Sequence, residues 1–309
     1  MKNLSPIAGL CLVLSLSLLF TCTDSSNTSP INDSAQEEWQ SLFNGKDLSG
    51  WDIKMAGYPV GENFRNTWLV EDSMIRVSYD EYEQFDEAYG HMYYRVPYSY
   101  YKLRFDYRFT GEQTPGGATW NVRNSGIMVH SQSAASNEIG QHFPVSIELQ
   151  LLGGLNDGKD RTTGNLCSPG TAVVMGDTIN YNHCISSSSE TYHGDQWIHA
   201  EMIVLGDSTI VHLIEGDTVL QYDQPQIGGG FTNIHQTQEH WEGFGISKMD
   251  DWVNQAGTLL GEGYIALQAE SHPIDFKNIE LLDLVGCKDP AAKNYKSYYV
   301  KADNSQCKY

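Results

Sequence analysis

Basic residues are scarce. Lysine and arginine together number 19 against 39 aspartates and glutamates, for a formal net charge of −20. Such an acidic surface repels phosphate backbones and anionic bilayers, so nucleic acid is excluded as a partner while neutral sugars stay open. Helical periodicity is missing as well: no long stretch carries a convincing apolar stripe at a 3.6-residue repeat. No Cys-x-x-Cys or paired Cys/His spacing suggests a zinc site. Long apolar runs are absent save one, Ile7 to Phe20, which is too short to span a bilayer comfortably.

That run reads as a targeting segment. Lys2 supplies the positive start, the apolar stretch follows, and Thr21-Cys22 ends it before a polar, low-complexity stretch. The arrangement resembles a bacterial lipoprotein signal over residues 1–22, with Cys22 as the acylated residue and residues 23–38 as a flexible linker. It predicts an exported protein of the cell envelope that touches membrane only through its lipid. Cys11 leaves with the signal. Cys167, Cys184, Cys287 and Cys307 then face an oxidising compartment, where an even number suggests two disulfides. The local pairings Cys167–Cys184 and Cys287–Cys307 are simplest, although four cysteines allow three connectivities.

Between Trp39 and Leu284 the pattern is strand after strand. Leu103, Phe105, Tyr107 and Phe109 alternate with Lys102, Arg104, Asp106 and Arg108, marking one buried and one wet face. The stretches 126–131, 145–152, 198–205, 209–214, 218–222 and 264–269 read the same way, with Gly206-Asp207-Ser208 and Glu215-Gly216-Asp217 as turns. Many short strands with Gly-rich turns argue for an all-β sandwich or jelly roll. Two long loops interrupt it, 111–122 and 226–263. The second carries His235, His240, Trp241 and Trp252, and is expected to pack near a site.

Alternation also sorts the polar residues. Glu148 and Gln150 share a face opposite Ile147, Leu149 and Leu151. Gln268 and Glu270 oppose Ile265 and Leu267, and Asn124 and His130 oppose Ile127 and Val129. If these strands are neighbours, the six polar residues line one surface, which His272 continues and Arg123 can reach. A lone glutamate on a strand face is ordinarily just solvated. A convergent set of this kind suits a hydroxyl-rich ligand.

Several strings carry a family resemblance: SLFNGKDLSGW at 41–51, TWLVEDSMIRV at 67–77, RNSGIMVH at 123–130, PVSIELQLLGG at 144–154 and GYIALQAESHPIDFKNIELLDL at 263–284. In this order they resemble the 3-keto-disaccharide hydrolase family over about residues 39–284. The resemblance implies a concanavalin A-like jelly roll and action on glycosides oxidised at the sugar's third carbon. It implies cleavage by C2 proton abstraction, elimination and hydration. Glu148, Glu270 and His272 are then the expected acid–base residues, with Arg123, Asn124, His130, Gln150 and Gln268 holding substrate and His91 and His193 bordering the site. A divalent metal is compatible with these donors: calcium, magnesium or manganese on oxygen ligands, zinc if imidazoles join. Residues 285–309 resemble a small cysteine-containing tail module of exported proteins. Two other functions fit the same fold, a non-catalytic carbohydrate-binding module with Trp241 or Trp252 stacking on sugar, and a conventional jelly-roll glycoside hydrolase. The single acid in Ser146–Gln150 speaks against the latter, whose strands often alternate acidic residues.

Overall fold

Tyr100–Phe109 is the strand in which the alternation is clearest. Tyr101, Leu103, Phe105, Tyr107 and Phe109 are buried while their neighbours are partly exposed. The computed structural model describes residues 36–309, so the signal, Cys22 and most of the linker lie outside the described residues. This strand sits centrally in a ten-stranded sheet. Its path runs Thr178–Asn180, Thr171–Met175, Asp217–Ile227, Thr209–Ile214, Ile198–Leu205, Tyr100–Phe109, Ile274–Asp283, Met74–Val77 and Trp68–Glu71. Gln40–Ser41 adds to Ile274–Asp283 off that path.

A seven-stranded sheet packs against it, in the order Cys184–Ile185, Asn165–Cys167, Ile147–Leu152, Asn124–Ser131, Tyr264–Ala269, Gly90–Tyr94 and Trp51–Met55. All pairs in both sheets are antiparallel. Leu103, Phe105, Tyr107 and Phe109 join Ile127, Val129, Ile147, Leu149, Ile265 and Leu267 in one apolar core. The fold is the all-β jelly-roll sandwich expected. The helices among the described residues are short, and the two α-helices, Gln238–Glu242 and Met249–Val253, both lie in the long loop 226–263.

Both local disulfides form, Cys167–Cys184 and Cys287–Cys307. Bonds of this kind persist outside the reducing cytosol and mark an exported protein. Beyond Leu284, Val285–Gly286 pairs in parallel with Lys301–Ala302. This tail rests on the sandwich: the Val300 amide donates to Leu284 O at 2.9 Å, and Lys301 Nζ sits 5.5 Å from the centre of the Tyr100 ring.

Candidate functional site

The three strands that carry the polar residues are adjacent, with Asn124–Ser131 between Ile147–Leu152 and Tyr264–Ala269. Register aligns their outer faces. Gly126 stands opposite Gln150, and Glu148 stands between Met128 and Cys167. Gln268 pairs with His91 on its other side. Gly126 makes room for Glu148, since a β-carbon there would collide with the Glu148 carboxyl group. The Glu148 side chain therefore lies over the central strand.

This face is roofed by loops. All eight residues of Asn124–Ser131 are buried, on both sides of the sheet. Between roof and sheet lies a cavity of about 730 Å³. Asn124, Glu148, Gln150, Gln268, Glu270 and Arg161 stand among its polar groups, and Trp120, Phe143, Phe231 and Phe244 among its apolar ones. The loop 111–122 is fixed by Gln113, whose Nε2 donates to Ala118 O at 2.7 Å and Ser271 Oγ at 2.9 Å. Asn124 Nδ2 donates to Trp120 O at 3.2 Å. The longer loop is clasped by Glu138, which accepts from Ser247 N at 3.0 Å, Ser247 Oγ at 2.5 Å and Lys248 N at 2.9 Å. His142 N donates to Phe244 O at 2.9 Å, setting that ring at the cavity wall. The loop 226–263 thus packs at the site, as its length and aromatics predict.

Glu148 and Glu270 dominate the electrostatics. They are only 6% and 2% exposed. Among the described residues no protein hydrogen bond reaches either carboxyl group. Burial pushes Glu148 up to about 8. Burial raises Glu270 well above the carboxylate range too, and the Glu148 charge adds to this while Arg161 opposes it. Gln268 Oε1 and Asn124 Oδ1 are buried acceptors without a protein donor. Gln150 Oε1 is taken by Asn165 Nδ2 at 3.1 Å, which leaves the Gln150 amide nitrogen as its free donor group. Buried polar groups without partners, converging on one cavity, are the signature of a ligand site.

Three expected residues are placed elsewhere. His130 follows a β-bulge: Met128 pairs with Ala266 but Ser131 with Tyr264, so two residues oppose Ile265 alone. With φ at 47°, His130 leaves the alternation, and its Nε2 meets Gly206 O at 2.9 Å in a turn of the other sheet. His272 follows Ser271, whose φ of 71° breaks the period after Glu270. Its ring packs edge-on against Phe109 at 5.6 Å. Burial first, then the Arg123 charge, lowers it to about 4. Arg123 does not line the cavity: its largely buried side chain runs past Phe109 to the Gly194 carbonyl and to Asp195 at 3.3 Å.

Arg161 stands where Arg123 was expected. Its Nη1 donates to Gly153 O at 2.6 Å and Arg123 O at 3.2 Å, which holds the guanidinium at the cavity. Nothing in its TTGN context marks it in sequence. His91 is fully buried beside Gln268, and His193 is exposed and does not line the cavity. Trp241 is wholly buried in the core and Trp252 packs against the core's edge, so neither lines the cavity; Trp120 and the phenylalanines do. His183 also lines the cavity, with a buried Nδ1 that has no partner. It lies within 4.8 Å of the Cys167 and Cys184 sulfurs, but their disulfide removes thiolate ligation.

The profile of a 3-keto-alpha-glucoside-1,2-lyase-like domain matches residues 38–282. A search among curated proteins returns no match. Among solved structures, a candidate glycosyl hydrolase from Parabacteroides distasonis aligns at 17% identity and TM-score 0.47, over 80% of this chain and 99% of its own. A second from the same organism gives 17% and 0.44, over 79% and 93%. The carbohydrate-binding module CBM66 from Bacillus subtilis gives 10% and 0.41, over 77% and 98%.

Proposed function

The chain belongs to the 3-keto-alpha-glucoside-1,2-lyase-like family and is a carbohydrate-active enzyme, and from that premise we propose that it cleaves 3-keto-glycosides by elimination followed by hydration. The observation that carries this reading is the pair Glu148 and Glu270, both buried, both raised, and both without protein partners on the floor of one cavity.

A ketone at C3 acidifies the C2 proton, because the resulting carbanion delocalises onto the ketone oxygen. Glu148, titrating near 8, is available as the base at neutral to mildly alkaline pH. It takes the C2 proton, the electron pair moves through the enolate, and the C1–O bond breaks. Glu270, which stays protonated, donates its proton to the departing oxygen. Arg161 offers positive charge to the enolate oxygen. Water then adds across the C1–C2 double bond, its oxygen to C1 and a proton to C2, to give the free 3-keto sugar. The acid–base role expected of His272 passes to Glu270, since the imidazole packs behind Arg123 against Phe109.

Gln268 Oε1 and Asn124 Oδ1, unpartnered at the cavity, are the neutral oxygens that would hold a hard divalent cation such as calcium, magnesium or manganese, leaving Glu148 and Glu270 to proton transfer. Such an ion would supply further positive charge for the enolate. Zinc suits the set less well, because His130 and His272 are not part of it. Export with a lipid on Cys22, in the cell envelope, is part of the same proposal; the mass of the mature N-terminus tests it.

The deciding experiment compares matched glucosides and 3-keto-glucosides, with and without chelator, following aglycone release by protein lacking residues 1–22. Release from only the keto form is expected. Cleavage of the plain glycoside would point to a conventional hydrolase, and binding without release to a binding module.

A further inference from the structure

The two sides of the cavity differ in chemistry. The floor is made of amides, carboxyls and a guanidinium, which suit the hydroxyls of one sugar ring. The wall brings together Trp120, Phe143, Phe231, Phe244 and Leu155, and meets the floor at the Cys167–Cys184 disulfide beside Glu148. Phe231 and Phe244 lie 4.7 Å apart, Phe244 is 6.1 Å from Phe143, and Tyr89, 4.8 Å from Phe143 and 6.4 Å from Trp120, links these rings to the indole. We propose that this wall is the leaving-group subsite and that it takes a planar aromatic aglycone rather than a second sugar. The proposal rests on the floor being the seat of the 3-keto sugar.

Three observations favour an aromatic occupant. The wall has few free polar groups: Thr232 Oγ1 is engaged with His240 Nε2 at 2.8 Å, and the Trp120 carbonyl with Asn124. A second hexose would bring several hydroxyls against rings and sulfur, and each hydroxyl desolvated without a partner weakens binding. Asn233, Thr119 and the unpartnered His183 Nδ1 can meet one or two oxygens, as a phenol-type aglycone presents. Second, the mouth carries large apolar side chains in contact with water, Trp120 at 52% and Leu155 at 40% exposure, an arrangement that a flat apolar ligand would cover. Third, protein contacts hold the wall in place without a ligand. Gln113 fixes the Trp120 loop, Glu138 clasps the Phe244 loop, and the disulfide ties the strand beside Glu148 to its neighbour. A preformed aromatic slot loses little entropy on binding.

The test measures binding and turnover separately. Calorimetry gives Kd for two unoxidised glucosides with the same sugar, naphthyl glucoside and cellobiose, on intact protein lacking only residues 1–22. Naphthyl glucoside is expected to bind at least about tenfold more tightly, and Trp120→Ala to reduce that advantage by roughly five- to tenfold, the range of one aromatic contact. Trp120 is half-exposed, so its removal spares the core, and a melting curve checks this. Equal or tighter cellobiose binding, or an advantage untouched in both Trp120→Ala and Phe244→Ala, would overturn the subsite. Turnover of methyl 3-keto-glucoside is followed in parallel. Its absence would overturn the floor reading and the subsite with it, whereas turnover without aromatic preference overturns the subsite alone.

Discussion

The outer faces of the two sheets bury acids in opposite ways. On the ten-stranded sheet, Asp275 has a fully buried side chain, and two arginines saturate it: Arg76 Nε at 2.7 Å and Arg108 Nε at 2.9 Å. Around it the pairing continues, with the Arg104–Glu280 ion pair at 2.7 Å and the His199 Nδ1 contact to Asp106 Oδ1 at 2.7 Å. On the seven-stranded sheet, Glu148 and Glu270 are almost as deeply buried, yet among the described residues they have no hydrogen-bond donor. A buried acid matched by cations is a structural element. A buried acid left unmatched beside a cavity is a cost that a folded protein retains where chemistry or binding uses it.

That contrast is open to direct attack. The largest expected effect is on Glu148→Gln, which should lower kcat/KM on a 3-keto-glycoside by roughly 10²–10⁴-fold, the usual contribution of an acid–base group, while the protein stays folded. Wild-type activity should rise with pH around a midpoint near 8 as Glu148 ionises, and the variant should lose that limb. Stability follows the same group with the opposite sense. Below its ordinary value of 4.5, Glu148 is protonated in both states and contributes no pH-dependent term. Between 4.5 and about 8 the unfolded chain releases the proton and the folded one keeps it, so stability falls as pH rises. The melting-temperature advantage of Glu148→Gln should therefore grow from pH 5 to pH 8. A flat difference would mean that the carboxyl is not desolvated.

Arg161→Ala should cost roughly 10²-fold in kcat, the scale of one lost oxyanion donor. Replacing Cys167 and Cys184 with alanine removes a cross-link spanning 17 residues. It should cost about 3 kcal/mol of stability, read by denaturant melts, and raise KM as the wall loosens. Asp275→Asn acts on the other sheet. It should lower stability by about 1–3 kcal/mol, less than a fully buried pair because both arginines are partly exposed, and leave turnover per folded molecule unchanged. The smallest effect is expected at Arg123→Ala, under about threefold in kcat/KM, since its guanidinium faces Gly194 and Asp195. If Arg123→Ala and Arg161→Ala exchange these magnitudes, the site has been assigned to the wrong arginine.

Much of this was legible in the chain itself. Period-two alternation marks Tyr100–Phe109 and the strands around Glu148 and Glu270, because a pleated strand sends successive side chains to opposite faces. It correctly groups Asn124, Glu148, Gln150, Gln268 and Glu270. It fails at His130 and His272 for one reason: a bulge in one case and a left-handed Ser271 in the other shift the period by a step, and neither carries a glycine to announce it. Gly126 is the converse, a glycine whose purpose, room for the Glu148 side chain, shows only in the register.

What the sequence determined by itself was local or compositional: strand alternation, turn chemistry, the acidic balance, the cysteine count and the run of strings shared with the family. Tertiary structure alone decided that the two glutamates meet under a roof, that Arg161 displaces Arg123, and that Trp120 rather than Trp241 faces the cavity. These depend on which loops cross a sheet face and how far they descend. That is fixed by contacts between residues distant in the chain, Glu138 with Ser247 and Gln113 with Ser271, whose pairing no local pattern encodes.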